Sequence, residues 1–94
     1  MHIRVVTPSA KRSLKKLPKK IRETLVIATK NLEENPYAGE KLTGSLYFLY
    51  SFHFKIGAVE YRVAYTIDHE KKFVIVHFAH TRENFYEKVR RLFR

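Results

Sequence analysis

The chain contains no cysteine, so neither a disulfide framework nor a thiolate metal site can exist, and a cytoplasmic location is the default expectation. It is also short of acid: nine Asp and Glu stand against 19 Lys and Arg, a net charge of +10. A positive field of that size exceeds what solubility requires, and a polyanion is its natural partner. Long apolar runs are missing as well. The run from Phe73 to Ala79 is interrupted by His77, and it falls far short of the roughly 20 residues of a membrane span. Nucleic acid is therefore expected ahead of any membrane. The first six residues, Met1 to Val6, hold too few apolar side chains for the core of a signal peptide. With no linker, repeat or low-complexity stretch, the 94 residues fit one domain, 1–94, with one modest core.

The short β-branched segment His2 to Val6 reads as a strand that ends at Thr7-Pro8, where Thr7 caps and Pro8 opens a helix of about two turns through Leu14. Pro18 starts a second helix. Its Leu17, Ile21, Leu25, Ala28 and Leu32 recur at spacings of three and four, and Asn35-Pro36 stops it. A loop with Gly39 and Gly44 follows, and then the period changes to two. Three strands are predicted, Leu46 to Lys55, Val59 to Asp68 and Phe73 to His80, joined by hairpin-length turns. A last helix, Glu83 to Phe93, carries Phe85, Val89 and Leu92 on one side and Lys88, Arg90, Arg91 and Arg94 as a cationic end. The expected fold is α+β: a small, mainly antiparallel four-stranded sheet in the order β-α-α-β-β-β-α, with the N-terminal helical hairpin on one face.

Strand parity separates the two faces. Phe48, Tyr50, Phe52 and Phe54, with Tyr61, Val63, Tyr65 and Ile67 and with Val74, Val76 and Phe78, are expected under the helical hairpin. Ser51, His53 and Lys55 then share the other face with Arg62, Ala64, Thr66 and Asp68, beside Phe73, Ile75 and His77. Arg, Lys and His converging there, next to Arg82 at the end of the last strand, form the arrangement that a phosphate-contacting site requires. His2, His69 and His77 are scattered, and His77 with His80 finds no third ligand at a recognisable spacing, so neither a metal nor another cofactor is expected.

Across its elements the chain resembles the RelE/ParE superfamily of toxins, and in particular the RelE-like, RNA-cutting branch. The resemblance rests on Lys41-Leu42-Thr43-Gly44, on Glu60-Tyr61-Arg62-Val63-Ala64-Tyr65, and on Arg82-Glu83-Asn84-Phe85-Tyr86. It implies a toxin of a type II toxin–antitoxin system that cuts mRNA in the ribosomal A site and is silenced by a small antitoxin in a hetero-oligomer. By position, Arg62 looks like the central strand arginine, Arg82 like the residue after the last strand and Tyr86 like the C-terminal tyrosine. Where the best-known RelE pattern has two strand lysines, this chain has Ser51 and His53, with Lys55 two positions later. Histidine-using relatives place a histidine at a position similar to His53.

Such chemistry needs no metal, because the RNA 2′-hydroxyl attacks the adjacent phosphorus once a base, charge stabilisation and an acid are supplied. Arg62 and Arg82 are the expected charge stabilisers, since guanidinium matches phosphate oxygens in bidentate fashion. The base is His53 or Tyr86. Imidazole titrates nearer neutrality, whereas a phenol must first be made more acidic by neighbouring cations. Ser51, Lys55 and His80 complete the set as substrate contacts. Two other functions use the same charge: a ParE-like inhibitor of DNA gyrase, and a non-catalytic nucleic-acid-binding module.

Overall fold

The computed structural model describes residues 1–93; Arg94, expected in the cationic helix end, lies outside the described residues. Thr7 closes the first strand, β1 (Ile3–Val6), and its hydroxyl accepts from the Ala10 N–H at 3.1 Å while Pro8 fills the first position of α1 (Pro8–Lys15). Both residues act as anticipated. α2 (Lys19–Lys30) follows Pro18 and runs into two 3-10 turns, Asn31–Glu33 and Pro36–Ala38. Then come β2 (Glu40–Lys41), a third 3-10 turn at Gly44–Leu46, β3 (Tyr50–Ile56), β4 (Val59–Asp68), β5 (Phe73–Thr81) and α3 (Phe85–Leu92).

The sheet is five-stranded and mixed, in the order β1-β5-β4-β3-β2, with β1 parallel to β5 and the remaining neighbours antiparallel. This corrects the expected four strands. β2 has two residues, too few to show a period. The long crossover through α1 and α2 carries the chain from β1 to β2 at the far edge, and the antiparallel run β2-β3-β4-β5 then brings it back to lie parallel to β1. β3 also starts later than expected. Gly44 takes φ +67 and opens a 3-10 turn, so strand parity does not reach back to Phe48, which is exposed and meets Phe93 edge-on at 5.1 Å instead of joining the helical hairpin.

The main core lies between the sheet and α1/α2: Ala10, Leu17, Leu25 and Leu32 against Tyr61, Val63, Tyr65, Val74, Val76 and Ala79, with Tyr50, Phe52 and Phe54 at its margin. Most of the parity assignments hold, but Phe78 does not. Ala64 pairs with Phe78 and Tyr65 with Val76, so β5 carries one extra residue, His77, at a bulge. Beyond it the faces exchange: Ala79 turns to the helical hairpin, and Phe78 turns to the opposite face. There it joins a second core, in which Phe85 and Val89 of α3 pack on Leu46, Leu49 and Ala64. The face expected to be open is thus half covered by α3.

Two buried side chains tie irregular segments to this frame. Beyond β1, the outer edge of β5 is met by α1, where the Ser13 hydroxyl accepts from the Ala79 N–H at 3.1 Å and donates to the Ala10 carbonyl at 2.8 Å. Tyr65, fully buried, donates its hydroxyl to the Pro36 carbonyl at 2.7 Å and accepts from the Gly39 N–H at 3.0 Å. Gly39 sits so close that a Cβ there would lie 2.6 Å from the Tyr65 oxygen. Tyr65→Phe leaves both backbone groups unpaired, which costs about 1–3 kcal/mol; urea unfolding should show a lower midpoint with an unchanged slope.

Glu33 is buried at the edge of β1, where its carboxylate accepts from the Arg4 N–H at 2.7 Å and meets Lys30 at 3.3 Å. The Arg4 hydrogen bond, opposed by burial and aided by Lys30, holds this carboxyl below its usual range. A carboxyl lowered in the folded state stabilises fully above its unfolded value and loses that contribution as pH falls through the folded one. Stability should therefore decline as pH drops below the ordinary glutamate value of about 4.3, and Glu33→Gln should flatten that decline in unfolding curves recorded against pH.

Candidate functional site

The site is built on the first half of β4. Period-two geometry puts Glu60 and Arg62 on one face, and antiparallel pairing sets Lys55 opposite Glu60 and His53 opposite Arg62. Arg62 is in turn the register partner of His80 on β5. The chain leaves β5 with the Arg82 N–H donating to the Glu60 carbonyl at 3.0 Å, which fixes Arg82 beside the same two residues. Asn84 then adopts φ 56, a left-handed conformation that asparagine tolerates better than most residues, and the chain turns into α3. One residue into that helix, Tyr86 stands over the sheet.

Arg62 is the hub. Its Nε donates to Glu60 Oε2 at 3.0 Å, its Nη2 lies 2.9 Å from the same oxygen as an ion pair, and its Nη1 donates to the Tyr86 hydroxyl oxygen. The guanidinium also lies 5.3 Å from the centre of the Tyr86 ring, a cation–π contact. Burial works against the Arg62 charge, but the Glu60 hydrogen bond and the Tyr86 contact outweigh it and raise the group above its ordinary value. Glu60 moves the complementary way. The Arg62 hydrogen bond, against some desolvation and with help from Arg62, Arg82 and His53 charges, holds its carboxyl below the usual range.

Of the residues proposed from sequence, Arg62, Tyr86, His53, Lys55 and Arg82 gather around this hub. Lys55 and Arg82 line an open cleft of about 770 Å³ together with Glu60, Glu83 and Asn84. On the other side of Tyr86, Lys41, Thr43 and Arg90 border a second depression. Ser51 is not in the group: it is 2% exposed and its hydroxyl finds no partner among the described residues. Its strand neighbour is Ala64, so it lies beneath the second core and not on the basic surface. His80 shares the face of Arg62 but stacks on Phe78, ring planes 9° apart, and bonds Thr81 Oγ1 at 3.1 Å. Glu60 was not anticipated as a site residue, although parity with Arg62 would have identified it. No group of three or more His, Asp or Glu side chains converges among the described residues, and no helix among them is long and apolar enough to cross a membrane.

A small mixed-sheet α+β domain of this topology is similar to the RelE/ParE toxins. A family model described as the ParE-like toxin of type II bacterial toxin–antitoxin systems matches residues 5–90, so the chain belongs to that family. Among solved structures, the toxin–antitoxin complex RelBE2 from Mycobacterium tuberculosis contains a chain with a TM-score of 0.77 and 29% identity, covering 86% of this chain and 98% of that one. The isolated E. coli RelE toxin gives a TM-score of 0.67 at 26% identity, over 98% and 99% of the two chains. The archaeal RelE–RelB complex from Pyrococcus horikoshii OT3 gives 0.62 at 21% identity, over 87% and 96%, a likeness of fold alone. No curated protein matches the chain.

Glu60 holds Arg62 in place but also adds a negative charge beside Lys55, Arg62 and Arg82. Replacing it by glutamine should tighten single-stranded RNA binding by about threefold through the lost repulsion, while releasing the guanidinium from its fixed plane. Anisotropy titration of labelled RNA with Glu60→Gln checks the first effect. An affinity equal to or weaker than the parent protein's would contradict this account.

Proposed function

We propose that this toxin is a metal-independent endoribonuclease acting on mRNA in the ribosomal A site. The observation that carries this reading is the Arg62 hub: a guanidinium locked by Glu60 and Tyr86, with His53 opposite it in the sheet and Arg82 pinned alongside. In the proposed reaction His53 takes the proton of the 2′-hydroxyl, whose oxygen attacks the neighbouring phosphorus. Arg62 and Arg82 balance the extra charge on the phosphorane oxygens. The bond to the 5′-oxygen breaks, that oxygen is protonated, and a 2′,3′-cyclic phosphate remains. Tyr86 suits the acid's role, because its oxygen accepts from Arg62 and its own O–H remains to donate.

Relatives solved as toxin–antitoxin complexes support a cognate antitoxin for this chain too. The basic face and the apolar strip beside it, half-buried Phe73 and Ile75 with exposed Ile3 and Val5, offer the antitoxin charge and hydrophobic contact together. The ParE-like description of the matching family favours a second reading, inhibition of DNA gyrase without RNA cleavage.

A primer-extension map of mRNA on translating ribosomes tests the two. The nuclease should leave cuts within A-site codons, and Arg62→Ala or Arg82→Ala should weaken them by about 10²-fold, the usual cost of removing one charge-stabilising donor. Intact message together with trapped gyrase–DNA complexes would overturn the reading.

A further inference from the structure

α3 divides the second face of the sheet. The Arg62 hub lies at its N-terminal end, and on its far side a separate groove of about 330 Å³ runs between α3, α1 and β5. Its walls carry Arg12 of α1 with Lys16 at that helix's C-terminal cap, and Lys88 and Arg91 of α3, and no acidic side chain lines it. The two ion pairs found among the described residues, Lys30–Glu33 and Arg62–Glu60, leave all four cations without a carboxylate. In each wall the two cations are one helical turn apart, which separates their Cβ atoms by about 5–6 Å. Between them, Phe78 and His80 present near-parallel rings with centroids 6.0 Å apart. Burial, together with Lys88 and Lys16, holds the His80 imidazole below its ordinary range, which favours its uncharged form.

From this geometry we infer that the α1/α3 groove is a second nucleotide subsite, taking one unpaired base of a single-stranded RNA on the Phe78/His80 surface, with the flanking phosphates between the two rows of cations. Aromatic surface between cationic walls is the combination by which single strands are held without base-edge reading. Pocket size argues for a nucleotide and against an acidic helix, since a helix with its side chains is about 10–12 Å across and exceeds a cavity of this volume. Continuity argues the same way, because His80 is the direct strand neighbour of Arg62 and a strand crossing the hub reaches the groove over one strand pair. The inference rests on the nuclease reading only for the origin of that strand; the subsite itself is defined by its own residues.

The test uses the full chain and a fluorescent single-stranded oligoribonucleotide with 2′-O-methyl groups, which cannot be cut. Lys16 and Arg91 are both exposed, so Lys16→Ala/Arg91→Ala should keep the parent melting temperature. It should bind the probe about tenfold more weakly, and the slope of log affinity against log salt should become shallower by about 1.4, or roughly 0.7 for each lost phosphate contact on a single strand. Lys16→Arg/Arg91→Lys should restore both values. Unchanged affinity and slope in the alanine variant overturn the subsite, even if ribosomal cuts persist. RNA binding left intact while binding of poly-glutamate is lost also overturns it and assigns the groove to a protein partner. Uncut message on ribosomes, with probe binding still lost in the alanine variant, sinks the nuclease reading and leaves the subsite standing.

Discussion

The arrangement of this molecule depends on one extra residue in β5. His77 sits where β4 has no counterpart, and the resulting bulge exchanges the two faces of the strand halfway along its length. Before the bulge, Val74 and Val76 serve the helical-hairpin core; after it, small Ala79 does. The small residue lets α1 approach closely enough for Ser13 to cap the strand edge. The same exchange hands Phe78 to the opposite face, where it becomes part of the surface on which α3 docks. The irregularity is stabilised locally, since His77 Nε2 and Thr66 Oγ1 are 2.9 Å apart and Phe93 covers the imidazole edge-on at 5.1 Å. Bulges that re-aim side chains beside a site are a recurrent use of this feature.

What the bulge builds on the second face is an electrostatic arrangement in which Glu60 is the counter-charge bonded to Arg62. Arg62 is partly shielded, with about a fifth of its side-chain surface exposed, and a shielded guanidinium with no partner would be costly. Glu60 satisfies it from two residues away on the same strand. The surrounding cations, Lys55, Arg82, Lys41 and Arg90, are exposed and keep their solvation. The division of labour is physical: solvated charges set the long-range field of the surface, while the clamped one presents a fixed geometry.

Much of this was legible in the sequence because burial imposes periods on it. Parity separated Tyr61, Val63 and Tyr65 from Arg62, and the Thr7-Pro8 start of α1 followed from capping chemistry alone. The errors have equally specific causes. Phe78 was assigned to the wrong face because a bulge leaves no mark in an alternating pattern: one inserted residue reads as continued alternation. Phe48 escapes the parity pattern because it lies in the turn that follows the Gly44–Leu46 3-10 segment, before β3 begins at Tyr50. Ser51 looked like a surface residue because the sequence does not say where α3 lands. Glu60 was overlooked as a functional residue for a different reason. A glutamate amid lysines and arginines reads as ordinary surface charge until its carboxylate is seen on both Nε and Nη2 of Arg62.

Tyr86 reaches the hub only if α3 is formed, and α3 is eight residues long, below the length at which an isolated helix is stable in water. Its start gains no side-chain cap, since Asn84 is left-handed and makes no capping bond. Its stability must come from packing, and packing is supplied chiefly by Phe85 and Val89, buried to 1% and 0% exposure, because Leu92 is 37% exposed. Those two side chains rest on Phe78 and Ala64, the register pair that adjoins the bulge. The position of the phenol at the site therefore depends on the register of β5 through a small hydrophobic cluster. Elements held by few buried contacts are among the first to open, so α3 is where this fold joins local stability to the integrity of its site.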